Sequence, residues 1–460
     1  MTTVLTTLAH WAQHSPRQLA LVDGATSYDF HSLLQAINHR AHAFRQVGVQ
    51  AGDRLGTALP DGAEALIASL AALACGGVHV PIDHHLTAVE RAQLIAATQL
   101  RWLIDEQGVH DLGTARSADP LGPGASAFLR FTSGTTGTAK GVLLAHATLR
   151  DRAAATGRAL ELQPGDRVLW LLPLAFHWAA SVIATLAAGA GVVFGNRLRV
   201  SETLTIARSQ GTTLAYASPW HCQRFAGLAA GGLAPLTTIV CTTAALDPLI
   251  AEKFRHTHGV RLRQALGVIE CGLPLISDGQ PGEALGNVGR PQPGFSWVVH
   301  ASAGEDSGEL RIRGPGLFDA YLDPWQPAGA VCRDGYFSTG DRARIAANGE
   351  IHLLGRLKDL INVGGMKVFP LEIETVLASH PAVLASHAYA VPDPRLGETV
   401  GVTVMLADPS TQAQAQAADE LVTWCRARLA PLKQPTAWEF APLTLTASGK
   451  LRRTTTPTVR

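Results

Sequence analysis

Cysteine is sparse in this sequence and nowhere paired. Cys75, Cys222, Cys241, Cys271, Cys332 and Cys425 are scattered singly, with no Cys-x-x-Cys step. That argues against a disulfide framework and a cysteine-ligated zinc site, and it suits a reducing cytoplasm. Charge is low as well: 16% of the residues are charged and the net charge is +1. Such a balance gives neither nucleic acid nor an anionic membrane surface a reason to bind. The first residues, Met1-Thr2-Thr3-Val4-Leu5, carry no basic stretch leading into an apolar core, so no secretory signal is expected. Long unbroken apolar runs are missing too. Residues 168–194 hold no Asp, Glu, Lys or Arg, which is length enough to cross a bilayer. Pro173 and His177 interrupt them, so the expectation is a buried strand–helix–strand and no membrane span.

With 460 residues, 47% of them hydrophobic, the chain exceeds one ordinary core and is expected to form more than one domain. Residues 1–125 alternate helical and strand-like patterns: 33–47 and 62–75 read as helices, 54–59 and 77–82 as strands. Apolar runs at 168–172, 191–194, 213–216 and 238–241 continue the alternation. That pattern implies a parallel sheet covered by helices. Residues 308–314 and 349–355 alternate with period two and suit small antiparallel strands. Beyond 356, a Gly-Gly turn, a helix over 370–379, strands over 385–391 and 399–406, and an amphipathic stretch over 419–429 fit a separate α+β unit. The Gln/Ala-rich segment 411–418 reads as a polar, mobile insertion. The expected architecture is thus α/β: a large N-terminal domain of layered sheets covered by helices, with a small β part, over 1–355, and a small mobile α+β domain over 356–460.

The most informative stretch follows an apolar lead-in at 127–131. Thr132, Ser133, Gly134, Thr135, Thr136, Gly137, Thr138, Ala139, Lys140 and Gly141 pack hydroxyls, glycines and a lysine into one loop. Glycine lets backbone approach a ligand closely, and successive N–H groups in such a turn form an anion-binding nest. A phosphate chain is the natural guest. The spacing fits neither a Walker loop nor a dinucleotide fingerprint. It closely resembles the Ser-Gly-Thr-Thr-Gly-x-x-Lys-Gly loop of the AMP-forming acyl-CoA synthetase and adenylation-domain superfamily.

Further segments resemble that superfamily in the expected order. Leu172-Pro173-Leu174-Ala175-Phe176-His177 is similar to the Pro-Leu-x-x-His segment at the floor of the acid pocket in acyl- and aryl-CoA ligases, which implies a gating role for His177 beside the carboxylate. Ala265-Leu266-Gly267-Val268-Ile269-Glu270 falls where the family carries Tyr-Gly-x-Thr-Glu, so the resemblance makes Glu270, with Thr136, a ligand for Mg²⁺. Leu266 and Ile269 depart from the pattern, and Ile269 lacks the hydroxyl that reaches the α-phosphate. Residues 241–246 replace a Ser-Gly-Gly-Ala-Pro-Leu turn, putting Thr242 and Thr243 where glycines are usual; a smaller or flatter pocket and a compensated loop without effect are both open. Trp178, Trp220, His221, Thr242, Thr243, Leu266 and Gly267 are the implied pocket neighbours. Thr339-Gly340-Asp341 resembles the motif whose carboxylate accepts the ribose hydroxyls, and Arg356 matches its arginine partner. Lys358 occupies the hinge position. Asn362 to Pro370 resembles the loop lining the pantetheine tunnel, with Gly365 against the incoming arm and Lys367 beside it. Thr446-Ala447-Ser448-Gly449-Lys450 matches the C-terminal Thr-x-x-Gly-Lys, which makes Lys450 the catalytic lysine of adenylation.

The resemblance implies an ATP- and Mg²⁺-dependent ligase that converts a carboxylic acid to an acyl-adenylate and passes it to a thiol, either coenzyme A or the phosphopantetheine of an acyl carrier protein. The segment His177-Trp178-Ala179-Ala180 offers no carboxylate for an α-ammonium group, and a buried ammonium without a counter-ion is costly. A small aryl or short-to-medium acyl acid is therefore expected. A stand-alone amino-acid-activating enzyme, and a degenerate non-catalytic nucleotide-binding member, are the competing readings.

Overall fold

The computed structural model describes residues 3–131, 140–196, 199–243, 246, 248–279, 286–301, 305–408 and 410–443. Among these the chain forms four sheets. The first is nine-stranded. Its middle is the parallel set Arg261–Val268, Thr238–Cys241, Leu214–Ala217, Arg167–Trp170 and Gly191–Phe194, continued by Leu19–Asp23. Several of these strands are buried along their whole length, which is why they read as unbroken apolar runs instead of alternating ones. The second sheet, eight-stranded, carries Val78–Pro81 and Arg54–Thr57 beside Ser126–Phe131 and Gly141–Ala145.

Helices fill the space between these two sheets. Ala63–Ala74 touches Leu19–Asp23 of the first sheet and Val78–Pro81 of the second; His146–Ala159 likewise touches Gly272–Ile276 on one side and Ser126–Phe131 on the other. A helix covered on all sides has no polar face to offer, and Ala63–Ala74 is apolar nearly all round. Segment 168–194 runs as strand, short helix Leu174–His177, a π-helical turn Trp178–Val182, helix Ile183–Ala187 and strand Gly191–Phe194, as expected. No helix among the described residues is long and apolar enough to cross a membrane. A second apolar cluster on the outer face of the first sheet seats helices Val200–Gln210, Pro219–Ala226 and Pro248–His258 through Leu204, Phe225 and Phe254.

Two smaller sheets follow. Ser296–His300, Ser307–Arg313, Phe337–Ile345 and Ile351–Arg356 form an antiparallel sheet. Residues beyond it have a hydrophobic cluster of their own, from Ile361 to Leu429, built on strands Val383–Asp393 and Gly397–Leu406 with helix Pro370–Ala378. The Gln/Ala segment expected to be a mobile insertion is instead the start of a helix, Thr411–Arg426. Ala and Gln are good helix formers. Ala417, Leu421, Cys425 and Leu429, four residues apart, make one buried stripe that begins inside the segment.

Candidate active site

The chain leaves strand Arg167–Trp170 for its neighbour Gly191–Phe194 on one side, then crosses back to Leu214–Ala217 on the other. Connections diverge there, so a crevice opens outside the carboxyl ends of the strands, the usual ligand site of open α/β sheets. The segments that resemble the superfamily's acid-site motifs emerge at that edge. Leu172–His177 follows the central strand, Ser218-Pro219-Trp220-His221 the next, Thr242-Thr243 the third, and Leu266 to Glu270 the fourth.

Glu270 is held by groups distant in sequence. Arg152, 1% exposed, donates to the carbonyls of Ile269 (2.7 Å), Glu270 (3.1 Å) and Gly316 (2.6 Å). That clamp fixes the backbone carrying the carboxylate. Tyr321 Oη donates to Glu270 Oε1 at 2.9 Å, and burial with the Glu270 charge pushes the phenol well above its usual range, so it stays a donor. Lys140 Nζ lies 4.7 Å over the Tyr321 ring, a favourable cation–π placement. One lysine from the loop motif, one carboxylate and one phenol are thus assembled from three separate stretches. Glu270 Oε2 has no hydrogen-bond partner among the described residues. An oxygen of that kind, beside one held by Tyr321, fits a hard cation such as Mg²⁺.

The crevice side chains fall into two groups. His177 ends its short helix, and its ring meets the edge of Trp170 at 5.9 Å, with Tyr216 behind. Trp178 turns the other way into the core: it stacks on Phe128 at 5.5 Å and donates to Ser69. Trp220 and His221 open the helix Pro219–Ala226, with His221 capping through Ser218. Thr242 Oγ1 donates to Ala265 O at 3.1 Å, and a Cβ on Gly267 would come within 3.9 Å of that hydroxyl. Leu266 is half-buried against the main core. Thr243 has φ +84°, a conformation costing a β-branched residue about 1–3 kcal/mol, and its buried hydroxyl has no partner among the described residues.

Asp341 and Arg356 face each other across neighbouring strands and pair at 2.8 Å, with Arg356 Nη1 also donating to Thr339 O. Lys358 sits in the single turn Leu357–Asp359, its Nζ 3.8 Å from Asp359. Gly365 has φ +88° with open space where a Cβ would stand, and Lys367 reaches Glu305 at 3.9 Å. Thr132, Ser133, Gly134, Thr135, Thr136, Gly137 and Lys450 lie outside the described residues. Arg152 and Tyr321 carry no local motif; only the crossing of distant segments puts them at Glu270.

The fold is that of a layered α/β protein with a smaller C-terminal unit. The family description "AMP-binding enzyme" matches residues 8–322, and "AMP-binding enzyme C-terminal domain" matches residues 372–450. The chain belongs to the AMP-binding enzyme family. Feruloyl-CoA synthase of an Amycolatopsis species is 29% identical over 96% of this chain and 95% of its own length. A fatty acid–acyl-carrier-protein ligase of Streptomyces coeruleorubidus is 27% identical over 98% and 95%. The o-succinylbenzoate CoA synthetase of Bacillus subtilis, solved with its acyl-adenylate, shares the fold with a TM-score of 0.84 and 24% identity, covering 97% of this chain and 96% of that one. The same enzyme has also been solved with ATP and a magnesium ion.

Proposed function

We infer that the protein activates a non-amino carboxylic acid with ATP and transfers the acyl group to a thiol. The observation that carries this reading is the family match over both ends of the chain, joined to the Glu270–Tyr321–Lys140 cluster at the strand-end crevice. In the first step the acid's carboxylate oxygen attacks the α-phosphorus of ATP, and the bond to pyrophosphate breaks. Lys140 and the donors of the 132–141 loop, with Lys450, stabilise the charge that builds on the phosphoryl oxygens. Glu270 and Thr136 would hold Mg²⁺, which would offset phosphate charge there. Asp341 and Arg356 hold the ribose. Positioning does most of the work.

In the second step a thiol attacks the acyl carbonyl and AMP leaves with the bonding electrons. We place the domain boundary at residue 356 and the hinge at Lys358, so that rotation withdraws Lys450 and brings Gly365 and Lys367 to the thiol's path. Residues 361–429 have a separate core, which supports such motion. The acid is a small aryl or short-to-medium acyl acid seated among His177, Trp220, Thr242, Thr243, Leu266 and Gly267, with Trp178 bracing the floor. The acceptor is coenzyme A or a carrier-protein phosphopantetheine; relatives of both kinds match nearly the whole chain.

Acid-dependent ATP–pyrophosphate exchange over a panel of aryl, fatty, dicarboxylic and amino acids tests this, with Lys450→Ala as control. Exchange that peaks with one aryl or acyl acid and vanishes in the variant is expected. Silence across the panel from a folded, ATP-binding protein would move the assignment to a non-catalytic nucleotide-binding role.

A further inference from the structure

We propose that Arg130 is an anion-binding residue of the active site, its guanidinium taking a phosphate oxygen of the bound nucleotide. The proposal rests on the adenylating function inferred above and adds a residue to its phosphate site.

Arg130 is the penultimate residue of strand Ser126–Phe131, two positions before Thr132. It lies opposite Val142 in the next strand, and Val142 lies opposite Tyr321 in the strand beyond. Residues directly opposite in antiparallel pairs project from the same face. Arg130 therefore shares a face with Tyr321, whose hydroxyl holds Glu270.

Two contacts hold the guanidinium in place. Nη1 donates to Phe176 O at 2.9 Å, and the group lies 4.7 Å over the Phe176 ring. Phe176 immediately precedes His177, so the fork is fixed at the floor of the crevice. Of five N–H donors in an arginine fork, only one has an acceptor among the described residues. No carboxylate among them lies within ion-pair distance, although the Glu270 charge acts on the group.

Arg152 shows the contrast within the same protein. It is 1% exposed where Arg130 is partly exposed, and its nitrogens are committed to three backbone carbonyls. Arg130 is anchored once, through Nη1, to Phe176 O. Burial lowers its pKa to about 10, so it remains a cation at neutral pH. A planar cation that feels the Glu270 charge and shares a face with Tyr321 suits a phosphate, which arginine recognises through paired N–H donors.

The test is equilibrium binding of AMP and of adenosine to the full chain without acid, comparing the native protein with Arg130→Met and Arg130→Lys. Loss of a charge-assisted hydrogen bond is expected to weaken AMP by about 10- to 150-fold in Arg130→Met. Adenosine, lacking the phosphate, keeps its affinity, and Arg130→Lys falls between. Unchanged AMP affinity, or equal loss for AMP and adenosine, overturns the proposal in favour of a purely structural arginine. If Arg130→Met does not fold, the same AMP-against-adenosine difference is read from Arg130→Lys. Binding of AMP needs no acid, so a failed exchange assay would sink the enzymatic reading while leaving this result readable.

Discussion

Ile269 stands next to Glu270 with a side chain that can donate no hydrogen bond, at the point where the related motif has a threonine. A charge-assisted bond contributes about 1.5–3 kcal/mol. Ile269→Thr is therefore expected to raise the rate of acid-dependent pyrophosphate exchange about tenfold or more; an unchanged or lower rate would show that residue 269 does not face the phosphate. Tyr321→Phe acts in the other direction. It removes the donor that fixes Glu270 Oε1, and a loss near 1.5 kcal/mol lowers exchange about tenfold, seen as a higher magnesium requirement in steady-state titrations. Thr243 keeps a backbone conformation natural to glycine and carries a β-branched side chain two residues after strand Thr238–Cys241. Thr243→Gly removes that side chain and its strain. The variant is expected to accept bulkier acids in the exchange panel, and an unaltered acid profile would remove residue 243 from the pocket.

At the scale of elements, two buried titratable side chains matter, one charged and one neutral. Arg152, from the helix between the sheets, satisfies the carbonyls of Ile269, Glu270 and Gly316. Arg152→Met leaves all three without their donor, at a cost of about 3 kcal/mol or more. A lowered thermal midpoint together with lost exchange is the expected result. His79, in strand Val78–Pro81, is 2% exposed between Phe128 and Trp178. Burial lowers its pKa from 6.5 to about 3. Between those values the unfolded chain binds a proton that the folded one refuses, so stability falls as pH drops below about 6.5, by roughly 1.4 kcal/mol per unit down to about pH 3. His79→Leu is expected to flatten that part of the pH–stability curve, measured by thermal midpoints between pH 6.5 and 4.

For the whole molecule, the inferred hinge makes the two half-reactions separable. Proline fixes φ and removes an N–H, and hinge residues must change φ and ψ. Lys358→Pro is expected to keep pyrophosphate exchange within a few-fold while stopping thioester formation from added acyl-adenylate. Equal loss of both half-reactions would place the hinge elsewhere. The pairing of Lys367 with Glu305 at 3.9 Å is a contact between the C-terminal segment and the connection leading into strand Ser307–Arg313. Being exposed, it is a weak latch that motion about residue 358 can break.

Much of this was written locally. Parallel strands buried on both faces appear as unbroken apolar runs, so 191–194 and 238–241 are legible to within a residue. Asp341 and Arg356, singled out by motif, do meet across neighbouring strands at 2.8 Å, whereas residues 132–139 of the loop motif lie outside the described residues. The segment 411–418 misled because its composition is polar, while the helical stripe that orders it begins only at Ala417. Tertiary structure alone decided what surrounds Glu270. Tyr321 lies 51 residues away and Arg152 lies 118 away, and no local pattern links them, since their contact depends on strand order and register across two sheets. The same holds for Trp178, adjacent to His177 in sequence yet turned into the core by the π-helical turn. Sequence by itself determined the kind of chemistry, because chemistry requires residue types. Only the packed sheets determined which side chains hold those residues still, because burial and register are properties of the whole chain.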